Sequence, residues 1–257
     1  MIAFNDMSNI RVFVINLPKD VKRREFMEKQ LNDLRMSYEF VDGKYGSDSI
    51  VIESCDDALA IKEHGKVLTV GEKGCAFAHR SVYEKMVNEK IPYALIMEDD
   101  VILQKNFPEI LEHEVMHKDR VWDWLSFDYP RIGFDFILAW LIASSKMTRR
   151  NVFFSVYALI KFPFIVALSL FEIVRSALAK IFPSYAGPKI FYRPLYNAGA
   201  YVITLEGVEK IKPLLYPLRF SADRTPNQAR VKTGLIMRWY VPRVAHQDDD
   251  FGSNTIN

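Results

Sequence analysis

A short apolar run that ends in three adjacent acids constrains the fold of this chain more than any other feature. The run Ala94–Met97 leads directly into Glu98, Asp99 and Asp100. An apolar run of this length, closed by polar residues, predicts a buried strand. Because side chains alternate along a strand, Glu98 and Asp100 are expected on one face and Asp99 on the other, unless a turn begins here.

The three acids predict a chemical role as well as a strand end. Carboxylates that share the mouth of a buried strand repel one another unless a cation neutralises part of their charge. Their oxygens are hard ligands that suit Mg²⁺ or Mn²⁺, and these ions in turn bind substrate phosphates. The alternative interpretation is a solvated acidic turn after a strand, and the other motifs of the chain bear on that choice.

The segments before the acids alternate between strand and helix. We predict strands at 10–17 and 38–41, helices at 21–35, 56–64 and 75–89, and a glycine-punctuated loop at 69–74. Further on, we predict a strand at 196–203, a helix at 205–215 and a last strand within 234–244. This order predicts an α/β sheet with right-handed crossovers. Ligands of such sheets bind beyond the carboxyl ends of the strands, which is where the three acids lie.

Composition narrows the class of protein. With 257 residues, of which 49% are hydrophobic, the chain can bury a full core in one elaborated domain. A net charge of +2 argues against a dedicated nucleic-acid binder. The two cysteines, Cys55 and Cys75, do not make a disulfide framework, and we interpret Cys75 as a buried packing residue. The polar N-terminal residues lack a secretory signal, so we expect a cytoplasmic protein.

Residues 133–189 form an insertion of different character. From Gly133 to Arg193 there are eight basic and two acidic residues, so this stretch carries +6 and the remainder −4. The run Asn151–Phe171 contains one charged residue, Lys161, and Pro163 lies at its centre. An apolar face flanked by basic residues predicts a helix that lies on an anionic membrane surface. A buried helical hairpin, an oligomer contact and a membrane span are the alternatives.

Three separated blocks carry a resemblance to a known family. The first is Val14-Ile15-Asn16-Leu17 with Lys22-Arg23-Arg24, the second is Leu68–His79, and the third is Ile96–Asp100. A weaker fourth block is Gly199–Glu206 with Asp223 downstream. In this order the chain resembles glycosyltransferase family 25, the lipooligosaccharide and lipopolysaccharide glycosyltransferases. The resemblance covers about residues 10–130 and 190–246 and leaves the apolar insertion outside it.

The resemblance implies a fold, a reaction and a location. The expected fold is GT-A-like, a Rossmann-like mixed sheet flanked by helices, with a nucleotide-sugar half at 1–132 and an acceptor side at 190–257. The expected reaction is an inverting transfer of a hexose, most often β-galactose, from a UDP-sugar with Mn²⁺ or Mg²⁺. The expected acceptor is a lipid-linked lipooligosaccharide core at the inner face of the bacterial inner membrane.

The resemblance also assigns roles to individual residues. It implies metal binding by Asp100, Glu98 and His246. The implied donor-binding residues are Asn16, Arg23, Arg24, His79, Glu98 and Asp99. An inverting transfer needs a base for the acceptor hydroxyl, and Asp223 is the first candidate and Glu72 the second.

Each of these roles has a plain structural alternative. Arg23 and Arg24 also fit a solvated basic helix face, and His79 also fits a packing residue. Asp223 could instead pair with Arg219 or Arg224 at the surface.

Other functions compete with the transferase. A P-loop NTPase also carries acids after an apolar strand, but Gly71–Cys75 lacks the spacing that its phosphate loop requires. A metal-dependent phosphohydrolase normally shows more histidines near its acids than the five scattered through this chain. The remaining alternative is a membrane-docked, transferase-like subunit without catalytic activity, which the intact acidic triplet argues against.

Overall fold

The structure, a computed structural model, describes residues 10–117, 119–129, 167, 170–171, 173–190 and 197–248. The chain divides into two compact units, residues 1–129 with 188–257 and residues 130–187. The predictions made for Asn151–Phe171 lie almost entirely outside the described residues. The functional boundaries at 132 and 189 stay a prediction.

The described elements follow one another in an α/β order. The first half contains β1 (Ile10–Asn16), α1 (Val21–Asp33), β2 (Glu39–Asp42), α2 (Ser49–Glu53), α3 (Asp57–His64), α4 (Val70–Glu89), β3 (Tyr93–Glu98), β4 (Val101–Leu103), α5 (Phe107–Met116) and β5 (Trp124–Ser126). The second half contains β6 (Gly187–Lys189), β7 (Ala200–Thr204), α6 (Leu205–Ile211), α7 (Thr225–Lys232), β8 (Met237–Val241) and β9 (Ala245–Gln247). Short 3-10 turns lie at Pro183–Tyr185 and Lys212–Leu214.

Seven strands form one mixed sheet in the order β2-β1-β3-β7-β5-β8-β6. Strand β1 is parallel to β2 and β3, whereas β7 is antiparallel to both β3 and β5. Strands β4 and β9 form a separate antiparallel pair. The mixed sheet with its flanking helices confirms the expected GT-A-like α/β fold. Strands β4, β5, β6 and β9 and helices α2, α5 and α7 were not predicted.

The sheet gives the acids a rigid base. The central strands are fully buried, and the ring of Tyr201 on β7 stacks on Trp124 of β5 with centroids 3.6 Å apart. Strand β1 is in register with β3, so Ile15 is paired with Glu98. The carboxyl ends of these two parallel strands therefore meet at one edge of the sheet.

The predicted loop at 69–74 is wrong, because helix α4 already begins at Val70. Thr69 and Glu72 form a capping box, in which each side chain accepts a hydrogen bond from the other residue's backbone amide. Gly74 lies within helix α4, where the backbone of the segment after β2 passes close to it. A Cβ at this position would lie 2.6 Å from the carbonyl oxygen of Lys44. A Cβ on Gly46 would lie 1.7 Å from the carbonyl oxygen of Val70. The segment after β2 is thus held against α4.

Within the insertion, residues 173–181 are helical. Apolar side chains on and beside this segment are exposed, among them Phe171, Val174, Ile181 and Phe182. In the part of the chain that the structure describes, no helix has both the length and the apolar character needed to cross a bilayer.

Candidate functional site

A cavity of about 520 Å³ opens at the carboxyl ends of β1 and β3. Its walls come from the end of β1, the loop after β2, the first turns of α4, the three acids and the end of β9. The residues that matter below are Leu17, Lys19, Arg23, Tyr45, Cys75, Glu98, Asp99, Asp100 and Gln247, which all line it. The sequence analysis predicted this position for the three acids, beyond the carboxyl ends of the strands.

Asp99 turns toward helix α1. It accepts a hydrogen bond from Arg23 Nη1 over 2.7 Å and another from Asn16 Nδ2 over 2.8 Å. Burial raises the pKa of Asp99, and the hydrogen bonds from Arg23 and Asn16 oppose that rise. Arg23 Nη1 also lies 3.1 Å from Asp100 Oδ2, so one buried guanidinium neutralises part of the charge of two acids.

Glu98 and Asp100 share a hydrogen-bond donor, Gln247. Strand β3 ends at Glu98, and Asp99 and Asp100 lie in the turn that follows, so strand alternation does not extend to Asp100. Gln247 Nε2 donates to Glu98 Oε2 over 2.8 Å and to Asp100 Oδ1 over 3.3 Å. Burial and the neighbouring charge of Glu98 together raise the pKa of Asp100 to about 7. The two carboxylates are thus close enough to repel each other while both line the cavity.

This donor set fits a hard divalent cation. Carboxylate oxygens of Glu98 and Asp100 face the same cavity, and a cation between them would relieve the repulsion that raises the pKa of Asp100. Asp99 is already satisfied by Arg23 and Asn16. The geometry therefore favours Glu98 and Asp100 as the oxygen ligands for Mn²⁺ or Mg²⁺, with Asp99 as a residue that fixes Arg23.

The second oxygen of Glu98 faces helix α4. Glu98 Oε1 lies 3.5 Å from Cys75 Sγ and 3.5 Å from His79 Nε2. A hydrogen bond of 2.7 Å joins His79 Nδ1 to the hydroxyl of Tyr201, and another of 2.7 Å joins that hydroxyl to Tyr83. His79 is only 2% exposed, and the structure brings it to the site through Glu98. Its direct contact with a donor stays a prediction.

His246, the third expected metal ligand, lies next to Gln247 in the sequence. It belongs to β9 and is paired with Ile102, and the described residues that line the cavity include Gln247 but not His246. Neighbouring side chains on a strand point to opposite faces, so the contact of Gln247 with the acids turns His246 the other way. The structure thus brings Gln247 to the acids, and metal binding by His246 remains untested.

Arg24 and Glu72 make local contacts. The guanidinium of Arg24 lies 3.9 Å from the ring centre of Phe40, and its Nε is 3.4 Å from Glu28. Glu72 accepts from the backbone of Thr69 and pairs with Lys66 over 2.8 Å. Burial opposes ionisation of Glu72, but these hydrogen bonds bring its pKa below the usual value. Both residues have structural roles, and neither is among the described residues that line the cavity.

Asp223 lies in the turn before α7, where it accepts a hydrogen bond from Ser221 Oγ over 2.5 Å. Its negative charge acts on the buried thiol of Cys75, together with the charges of Glu98 and Asp100. Asp223 is not among the described residues that line the cavity, and its role as the base stays a prediction.

Three residues at the site were not predicted to act there. Tyr45 stands at the rim with 41% of its surface exposed, and Lys19 Nζ lies 5.3 Å from its ring centre. The run Gly43–Ser47 directly after a predicted strand was an available signal for this rim. The sequence contains no comparable signal for Gln247, because its position depends on a β4–β9 pairing that joins residues far apart in the sequence.

The profile of a known family matches most of the chain. The family is described as Glycosyltransferase family 25 (LPS biosynthesis protein), and the match covers residues 9–225. It spans all three blocks that carry the resemblance.

Individual relatives match shorter regions. The lipooligosaccharide biosynthesis protein lic2B of Haemophilus influenzae is 34% identical over 40% of this chain and 38% of its own length. Procollagen galactosyltransferase 1-A of Xenopus laevis is 29% identical over 50% of this chain and 23% of its own length. A bovine protein called probable inactive glycosyltransferase 25 family member 3 is 33% identical over 44% of this chain and 20% of its own length. The matched region is thus less than half of each of these relatives.

Proposed function

Because this chain belongs to glycosyltransferase family 25, we propose that it transfers a hexose, with inversion, from a UDP-sugar to a lipooligosaccharide or lipopolysaccharide core. One observation carries the proposal: Glu98 and Asp100 face a cavity at the carboxyl ends of β1 and β3, beside the buried Arg23. Galactose is the proposed sugar, since the name of one relative specifies a galactosyltransferase.

The diphosphate of the donor would lie against the acids. A divalent ion held by Glu98 and Asp100 would neutralise the charge that develops on the leaving UDP. Arg23 contributes a fixed positive charge on the same wall, and Asp99 holds its guanidinium in place over 2.7 Å. These residues would stabilise the transition state, in which charge develops on the leaving diphosphate, more than they stabilise the bound donor.

The nucleoside would lie toward the rim. Leu17 and Gly43 line the space between the ends of β1 and β2, and the partly exposed ring of Tyr45 stands beside it. A planar base gains stacking energy on an aromatic ring. Lys19, close to that ring, adds positive charge for a phosphate.

Asp223 is the proposed base. It would take the proton of the acceptor hydroxyl as that oxygen bonds to the anomeric carbon and the diphosphate leaves with the electron pair of the broken bond. Attack opposite to the leaving group inverts the anomeric centre, so an α-linked donor gives a β-linked product. Asp223 accepts a hydrogen bond from Ser221, and its charge acts on Cys75, which lines the cavity; both observations support this role.

The insertion is the proposed membrane contact, on the cytoplasmic face where the lipid-linked acceptor would lie. Phe171, Val174 and Ile181 are 52%, 54% and 67% exposed. Arg175 and Lys180 are interspersed with them in the sequence. Exposed apolar side chains combined with basic ones suit an anionic bilayer surface.

Product analysis tests the proposal. The protein is incubated with Mn²⁺, a truncated lipooligosaccharide core and a panel of UDP-sugars, and the acceptor is analysed by mass spectrometry and NMR. We expect one donor to add a single hexose through a β-linkage, and Asp223→Asn to lose this product while still binding the donor. An α-linked product, or full transfer by Asp223→Asn, would contradict the mechanism.

A second function is favoured by one relative, the bovine protein named as probably inactive. A non-catalytic subunit would bind a UDP-sugar in the same cavity without turning it over. Calorimetric binding of a UDP-sugar, combined with no transfer to any core acceptor and no UDP release, would support this alternative.

A further inference from the structure

We propose that Cys75, His79 and Glu98 form a separate site for a thiophilic divalent cation, Zn²⁺. The three donor atoms are Cys75 Sγ, His79 Nε2 and a carboxylate oxygen of Glu98, and all lie within 4.8 Å of one another. The site shares Glu98 with the hard-ion site proposed between Glu98 and Asp100, and it differs from that site in using sulfur and nitrogen donors on helix α4.

The two distances from Glu98 to the other donor atoms suit tetrahedral coordination. Glu98 Oε1 lies 3.5 Å from Cys75 Sγ and 3.5 Å from His79 Nε2. Bond lengths of about 2.3 Å to sulfur and about 2.0–2.1 Å to nitrogen or oxygen place tetrahedral ligand atoms about 3.3–3.6 Å apart. Cys75 and His79 are four residues apart on one helix, so they project from the same face toward β3.

The imidazole of His79 provides an independent observation. Its Nε2 is buried, makes no well-formed hydrogen bond among the described residues, and faces Glu98 Oε1 at 3.5 Å. Its other nitrogen, Nδ1, is hydrogen-bonded to the hydroxyl of Tyr201 over 2.7 Å, and Tyr83 supports that hydroxyl. A histidine that binds a metal through one nitrogen is usually oriented in this way through the other.

The fourth position would open to the cavity, since Cys75 and Glu98 both line it. Binding of Zn²⁺ forms a zinc–sulfur bond and releases the thiol proton of Cys75 to solvent. The two oxygens of Glu98 face different neighbours, Oε1 toward Cys75 and His79 and Oε2 toward Gln247. The Glu98 carboxylate can therefore bind Zn²⁺ together with Cys75 and His79 without a contribution from Asp100.

Metal titration of the purified full chain, without any sugar donor, tests the site. We expect one equivalent of Co²⁺ to give a thiolate-to-cobalt charge-transfer band that Zn²⁺ abolishes. Cys75→Ser should remove the band, and His79→Gln should weaken binding about 10- to 100-fold. Cys55→Ser is the matched control and should keep the band. A band that is absent from the wild type, or that survives in Cys75→Ser, would overturn the proposal.

A measurement on the wild type covers the case in which Cys75→Ser does not fold. Zn²⁺ should protect Cys75 from alkylation, as read by peptide mass spectrometry, and should leave Cys55 reactive. Equal alkylation of Cys75 with and without Zn²⁺ would overturn the site. Asp100→Asn should retain Zn²⁺ binding but lose Mn²⁺ binding. Loss of the Zn²⁺ site would thus be seen in the metal titration, whereas failure of the proposed transferase function would be seen in the Mn²⁺-dependent activity.

Discussion

Gln247 on the last described strand donates a hydrogen bond of 2.8 Å to Glu98 at the end of β3. The same amide nitrogen lies 3.3 Å from Asp100. The contact is possible because β9 pairs with β4, which directly follows the acids in the sequence. The C-terminal part of the larger unit thus positions the two carboxylates that face the cavity.

Gln247→Ala should lower kcat/KM for the donor by about 10- to 100-fold, the usual effect of removing a group that orients metal ligands. The affinity for Mn²⁺ should fall as well, since the two carboxylates lose their shared donor. Steady-state kinetics over a range of Mn²⁺ concentrations measures both effects. Gln228→Ala, on helix α7, is the control and should behave as wild type. Unchanged Mn²⁺ dependence in Gln247→Ala would refute this role.

Tyr45→Ala should raise KM for the UDP-sugar by about tenfold with little change in kcat, because base stacking on an aromatic ring contributes about 1–3 kcal/mol. Tyr45→Phe keeps the ring and should stay near the wild-type KM. Donor-saturation kinetics separates the two parameters. The stacking role fails if Tyr45→Ala and Tyr45→Phe have the same KM as wild type.

The contribution of Asp128 to the stability of the metal-free protein should decrease as pH rises from about 4 to 7. Burial raises the pKa of Asp128 to about 7, the charge of Arg243 and the hydrogen bond from Asn197 oppose that rise, and the charge of Glu98 adds a smaller rise. In the unfolded chain an aspartate ionises near pH 3.9. The folded state therefore binds this proton more tightly, and its stabilising effect is complete below about pH 4 and lost as pH rises through about 7.

Asp128→Asn removes this titrating group, so its free energy of unfolding should depend less on pH, by about 2–4 kcal/mol between pH 4 and 8. Urea unfolding at several pH values measures the difference. Asp33→Asn is the control, because Asp33 is exposed and pairs only with Lys29 in the described structure. An Asp128→Asn slope equal to that of wild type would show that the carboxyl is not perturbed.

Val174→Glu should weaken binding to vesicles that contain anionic lipid by about tenfold, since it removes apolar area and adds a repelled charge. Val174 is 54% exposed, so the folded state should tolerate the change. Val231→Glu, at an 82% exposed position on α7, is the matched control. Vesicle co-sedimentation that is equal for both variants would exclude this helical segment as the membrane contact.

Local patterns predicted much of the N-terminal part of the fold. The β1–α1–β2 order and the strand that leads to Glu98 depend on short apolar runs, whereas the turn at Asp99 and Asp100 ends the strand alternation expected there. The reversal of β7 against β3 depends on long-range pairing, which periodicity does not encode. The start of α4 was missed because Gly71 and Gly74 look like loop residues, whereas Gly74 permits a close backbone crossing.

The site was predicted less completely than the fold. Adjacent acids carry a strong signal, so Glu98 and Asp100 were found. Arg23 was assigned to the donor, and the structure shows that it also holds Asp99. Glu72 was considered a base, although its spacing from Thr69 already matched a capping box. Gln247 depends on tertiary contacts and could not be found from its neighbours.

Release of UDP from UDP-galactose, measured without acceptor, tests the central claim most directly. Wild type should release UDP slowly with Mn²⁺ and should stop when a chelator is added. Asp100→Asn should lose about 100-fold or more of this rate, because one oxygen ligand of the ion is removed, while Asp33→Asn should match wild type. Turnover by Asp100→Asn at the wild-type rate, or release that is indifferent to the chelator, would contradict a metal-assisted transferase at this cavity.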